Sequence, residues 1–176
     1  QPSFVWQLYH YDLEPSAALF GVREAGEMEH IMFNEANGEV QVVNNRPTDL
    51  ENAVANETVY NMDGTVALQQ ERHFTAAADR ATIIGPIDFP VNVSNVHFIK
   101  LELHDSAGKL LSTNFYWRAG SEHPDDLSDL NKLPTVTLQP TVERHDEAGR
   151  CRITVTLRNP SKDIALMAHI QLRRKS

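Results

Sequence analysis

The stretch Val96-His97-Phe98-Ile99-Lys100-Leu101-Glu102-Leu103-His104-Asp105-Ser106-Ala107-Gly108-Lys109-Leu110-Leu111-Ser112-Thr113-Asn114-Phe115-Tyr116-Trp117 decides the fold. Its first arm, Val96 to Leu103, alternates at period two, which sends successive side chains to opposite faces of a strand. Asp105-Ser106-Ala107-Gly108 supplies turn residues, and the second arm returns from Leu110 to the aromatic run Phe115-Tyr116-Trp117. Exposed aromatics could stack on sugar rings, but these three alternate inside a strand, so at least one of them is core. A hairpin with that ending is the central element of a β-sandwich, and nothing in it can break a bond.

Working outward, the same strand signals recur. His30-Ile31-Met32-Phe33 and Glu39 to Asn44 flank the turn pair Asn37-Gly38 and read as a hairpin. Ala53 to Asn61 puts Ala53, Ala55, Glu57, Val59 and Asn61 on one face and Val54, Asn56, Thr58 and Tyr60 on the other. Asp63-Gly64 turns the chain into Thr65 to Phe74, a further strand covers Arg80 to Ile84, and Gly85-Pro86 with Pro90 marks a long connection. About seven short strands with no helix between them predict a mainly β fold, an immunoglobulin-like β-sandwich over residues 28–118. Ahead of it, Pro15 as a start signal and Gly26 as a stop signal predict one helix over 15–26.

Residues 119–134 turn polar and acidic, with Gly120, Ser121, Pro124, Asp125, Asp126, Ser128, Asp129 and Asn131, and read as a linker. Three strand candidates follow, Thr135 to Val142, Cys151 to Arg158 and Ile164 to Leu172, which make a partial second sandwich over 135–176. The N-terminal residues Phe4, Val5, Trp6, Leu8, Tyr9 and Tyr11 are dense in large apolar side chains, so the chain is expected to be a piece of a longer polypeptide.

With 176 residues the chain has room for one domain and part of a second. Apolar residues make up 41%, charged residues 23%, and no apolar run reaches the roughly 18 residues of a membrane span, so a soluble protein with no membrane partner is expected. A net charge of -8 argues against a nucleic-acid partner, since the only basic cluster is Arg173-Arg174-Lys175. Cys151 is the sole cysteine, which excludes an intrachain disulfide and a thiolate metal cluster.

Candidate chemistry is thin. His97 and His104 lie seven apart on one strand, so they face opposite ways and cannot share a metal. The acidic residues Glu122, Asp125, Asp126 and Asp129 lack the Gly turn and terminal Glu of a helix-loop-helix calcium site and read as solvated linker. Ser3, Ser16 and Ser112 have no Gly-x-Ser-x-Gly context, and Cys151 reads as a small apolar strand residue. Asn56-Glu57-Thr58 and Asn92-Val93-Ser94 match the glycosylation sequon. Hence no catalytic, cofactor-binding or metal residue is assigned, and no cofactor is expected.

The run Pro2-Ser3-Phe4-Val5-Trp6-Gln7-Leu8-Tyr9, continued through Leu13-Glu14-Pro15 to Ala18-Leu19-Phe20-Gly21, resembles the last strand and helix of the catalytic (β/α)8 barrel in glycoside hydrolase family 2. The exo-β-D-glucosaminidases and β-mannosidases of that family are the most similar groups. Thr58-Val59-Tyr60-Asn61-Met62-Asp63-Gly64 and Leu101 to Trp117 resemble the first immunoglobulin-like domain after the barrel, and Leu133 to Arg174 resembles the opening of the next.

The resemblance implies that residues 1–27 are a barrel remnant, that the parent polypeptide is a retaining glycosidase with two catalytic glutamates upstream of Gln1, and that this part alone is inactive. Relatives carry a Trp before the Pro that matches Pro2, near the sugar pocket; Gln1 stands there instead. The implied partners are the barrel of the same polypeptide and, through it, an oligosaccharide, with a periplasmic or extracellular location. A non-catalytic carbohydrate-binding or surface-adhesion module is the alternative. The C-terminal strands, short of a partner sheet, are expected to pack on the first sandwich or on a second copy as a homo-oligomer.

Overall fold

The computed structural model describes residues 8–10 and 13–172; Ser3, the segment from Phe4 to Trp6, Tyr11 and Arg173-Arg174-Lys175 lie outside the described residues. Seven antiparallel strands form two sheets. β1 (Glu29–Asn34), β2 (Glu39–Asn44) and β5 (Arg80–Pro86) give the order β1-β2-β5; β3 (Leu50–Asn61), β4 (Val66–Ala76), β6 (His97–His104) and β7 (Leu110–Arg118) give β4-β3-β6-β7. Strand alternation meets the core as the sequence predicts: Ile31, Val40 and Val42 face Ala53, Ala55, Val59, Ile99, Leu101 and Leu103 across the sandwich, all fully buried. β3 starts earlier than its alternation suggests, because Asn52 at φ 50° interrupts the ladder between Leu50 and Ala53.

The two sheets are joined by side chains as well as by apolar packing. β1 pairs only with β2, so its other edge would leave backbone groups unpaired. The inner face of β7 satisfies them: Ile31 N–H donates to Ser112 Oγ (3.3 Å), Phe33 N–H donates to Tyr116 Oη (3.1 Å), and Asn114 donates to the Ile31 carbonyl (3.3 Å). At the opposite side, Glu57 of β3 is 0% exposed and pairs with Arg72 of β4 at 2.9 Å. The same guanidinium donates to the carbonyls of Ile84 (3.2 Å) and Pro86 (2.5 Å) on β5, which ties one sheet to the other. Gly85 sits between those carbonyls at φ 126°, and a Cβ there would stand 2.7 Å from the Arg72 guanidinium.

The helix α1 (Ala17–Ala25) begins two residues after Pro15, which corrects Pro15 as its first residue. Ser16 N–H donates to the Leu8 carbonyl (2.9 Å) and Tyr9 bridges Pro15, so residues 14–15 are drawn into an extended turn and Ser16 becomes the N-cap. Gly26 ends the helix, its N–H donating to the Val22 carbonyl (3.0 Å). No residue of α1 is buried.

Beyond β7 the acidic segment contains a 3-10 helix, Ser128–Lys132, where the sequence reading has only a linker. β8 (Gln139–Glu147) and β9 (Arg150–Arg158) pair as a two-stranded hairpin turning at Ala148-Gly149. The third strand expected over Ile164 to Leu172 does not form. Among the described residues β8 and β9 pair only with each other, and the chain instead turns at Leu166-Met167, with Met167 at φ 57°. That segment touches the first sandwich at one point and the residues ahead of α1 at another: the Lys162 carbonyl and Ile164 Cγ1 approach Gly64 in the β3–β4 turn, and Glu14 contacts Gln171 and His169 Nε2, the latter at 2.6 Å.

Candidate functional site

One end of the sandwich holds a cavity of about 470 Å³ between the end of β1, the β5–β6 connection, the end of β7 and the start of the acidic segment. Its wall includes Phe33, Glu35, Phe89, His97, Arg118 and Asp125. Phe33 arrives on the core face of β1, so its ring is almost fully enclosed. Phe89 meets it edge-on with ring centres 6.4 Å apart and lies 5.1 Å from the His97 ring, yet keeps 38% of its own surface exposed. The exposed ring is therefore held rigidly from behind.

Arg118 closes one side. Its guanidinium stands over Phe33 (5.9 Å) and Tyr116 (5.5 Å) and pairs with Glu35. Burial alone depresses its pKa from the ordinary guanidinium range, a change that leaves it cationic. His97 faces two carbonyls, Ser94 at 3.2 Å and Asn95 at 3.3 Å, so Nδ1 carries the proton and donates. Burial pushes its pKa down, more than these carbonyls raise it, and the ring is neutral at pH 7. Asp125 makes no hydrogen bond or ion pair with any described residue, which leaves a free carboxylate at the rim next to the neutralised Arg118–Glu35 pair. Gly120 is fixed by close approach, since a Cβ would lie 2.9 Å from Asn95 Oδ1.

The residues singled out in the sequence disperse. His97 enters the cavity, whereas His104 points out from the other face and contacts Asn56 at 3.4 Å. Asp126 accepts the Ser128 N–H at 2.9 Å and Asp129 pairs with Lys132 at 2.5 Å, partners that hold both carboxyls below the usual range. Among the described residues no three His, Cys, Asp or Glu side chains converge as a metal site. Ser112 serves the β1 edge, Ser16 stands at the N-cap position of α1 without a side-chain cap bond, and Cys151 is exposed on β9. Of the aromatic run, Tyr116 faces the core side, while Phe115 stacks on buried Phe98 at 5.7 Å and is partly exposed with Trp117 on the outer face. Sequence reasoning missed Phe33, Phe89 and Arg118 as a group, because they lie on three separate segments and share no local spacing.

Two family models match the chain back to back. Residues 36–119 match the mannosidase Ig/CBM-like domain, and residues 114–176 match the exo-β-D-glucosaminidase Ig-fold domain. The exo-β-D-glucosaminidase of Streptomyces avermitilis is 34% identical over 128 residues, 71% of this chain and 14% of that protein. That of Amycolatopsis orientalis is 28% identical over 178 residues, 90% of this chain and 17% of the relative. The crystal structure of the Amycolatopsis orientalis exo-chitosanase CsxA superposes with a TM-score of 0.78 at 26% identity, covering 91% of this chain and 21% of that one. The chain thus spans at most about a fifth of the length of these relatives.

Proposed function

We infer, from a chain that belongs to the immunoglobulin-like region of the glycoside hydrolase family 2 exo-β-D-glucosaminidases, that it is the accessory β-sandwich part of a retaining exo-β-glycosidase. The observation that carries this reading is the superposition on CsxA along 91% of the chain, through both matched domains. In this proposal residues 1–27 end the catalytic barrel, 28–118 form the sandwich that supports it, 119–134 link, and 135–176 open a second sandwich. The two catalytic glutamates belong to the barrel, where one would act as acid/base and the other as nucleophile. Residues 1–176 alone would then hydrolyse nothing. Similar polysaccharide-degrading enzymes are commonly exported, and on that ground the parent protein is proposed to be periplasmic or extracellular.

The experiment compares this chain with the same sequence joined to its upstream polypeptide on nitrophenyl β-glycosides, the glucosaminide and mannoside first. Release of nitrophenol by the long protein and none by residues 1–176 is the expected result. Silence of the long protein on every β-glycoside would overturn the reading.

A further inference from the structure

We propose that the cavity at the end of the sandwich binds a β-linked amino-sugar unit, with the apolar face of the pyranose against Phe89 and the ammonium group beside Asp125. This rests on the accessory-domain reading above and adds a ligand site to it. A sugar ring presents one flat face of C–H groups and a rim of hydroxyls. A site for it needs a rigid exposed aromatic ring with polar groups around it. Phe89 supplies the ring, braced by Phe33 and His97 so that little conformational freedom is lost on binding.

Polar groups at the rim fit the same ligand. Arg118 offers N–H donors to hydroxyls, and its charge is already matched by Glu35. His97 is neutral, so the uncompensated charge in the cavity wall is the Asp125 carboxylate. A cation is therefore preferred to a neutral or anionic sugar, and an amino sugar carries its ammonium on the carbon next to the glycosidic carbon. Glu122 and Asp126 flank Asp125, and the net charge of -8 would draw a polycationic glucosamine oligomer toward this end. The cavity of about 470 Å³ has room for one or two sugar units.

The test titrates the 15N-labelled 176-residue chain with a glucosamine tetramer and, separately, with its fully N-acetylated counterpart, which has the same ring and no charge. Saturable amide shifts at Arg118, Gly120 and Ser121 are expected with the glucosamine tetramer, and affinity about tenfold lower with the acetylated one. Asp125→Asn, an exposed and structurally neutral change, should weaken binding roughly two- to fivefold. Phe89→Leu, which keeps apolar packing while removing the ring, should weaken it about tenfold. Shifts confined to Thr113–Trp117 on the outer sheet face, equal affinity for the two tetramers, or no saturable shift would each overturn the proposal. Hydrolysis by the longer protein is read separately: hydrolysis with an empty cavity removes this inference alone, and binding here without hydrolysis there removes the accessory reading alone.

Discussion

Tyr116 shows how a single hydroxyl can close a sandwich. Its Oη takes the Phe33 N–H of the β1 edge, and burial raises its pKa, so it stays a neutral phenol. Removing the hydroxyl in Tyr116→Phe leaves a half-buried backbone donor without a partner, and about 1–2 kcal/mol of stability should be lost in urea unfolding. Gly85 is constrained from two sides, by φ 126° and by the Arg72 guanidinium. Gly85→Ala should cost about 1–3 kcal/mol by the same measurement. For His97 the folded pKa lies below the ordinary value of 6.5, because burial disfavours the imidazolium. The unfolded chain therefore takes up its proton first as pH falls, and stability declines from about pH 7 through that ordinary value until the lower folded pKa is passed. The variant His97→Gln should show a smaller decline than the parent between pH 7 and 5.

At the scale of elements, burial divides the chain. β3 and β6 are central strands with most inward side chains at zero exposure, whereas α1 and the β8–β9 hairpin bury none of their residues. A helix of nine residues and a lone two-stranded hairpin are both marginal in water without packing. Hydrogen exchange should thus find β3 and β6 amides protected to near the global limit, while those of α1, β8 and β9 exchange orders of magnitude faster. Limited proteolysis should cut first around Ala148-Gly149. The loss of the expected Ile164 to Leu172 strand belongs here too. Ile164 instead lies beside the turn at Gly64, while His169 and Gln171 contact Glu14, and none of the segment joins a strand edge.

For the whole molecule the decisive contacts are those between sheets, namely Ser112, Asn114 and Tyr116 onto β1 and Arg72 from Glu57 onto β5. Burial raises the Glu57 pKa against the opposing pull of Gln70 and Arg72, so its carboxylate is held at a cost and is retained as a tie. Glu57→Ala would leave the guanidinium short of its counter-charge and should cost about 3–5 kcal/mol, read as a fall in the urea midpoint. The two halves of the proposed role also meet at this scale, since the same end of the sandwich that carries the cavity leads into the acidic segment and the second domain.

The sequence by itself determined the strands of the first sandwich, but not those after it, where β8 begins at Gln139 rather than Thr135 and no strand forms over Ile164 to Leu172. Period-two alternation in β1 to β7 and turn residues at Asn37-Gly38, Asp63-Gly64 and Ala107-Gly108 are local quantities, set by which side chain follows which. Core identity followed from the same alternation, because a strand with one apolar face has only one way to bury it. Tertiary structure decided which strands became neighbours, which edge needed covering, and where the C-terminal residues settled. It also decided the cavity. Phe33, Phe89 and Arg118 are apolar or basic residues of ordinary appearance in three distant segments, and only the packing of one sheet on the other brings them around a common space. The acidic segment shows the same divide: its composition announced solvent, while the fold alone left Asp125 free at the cavity and gave Asp126 and Asp129 local partners.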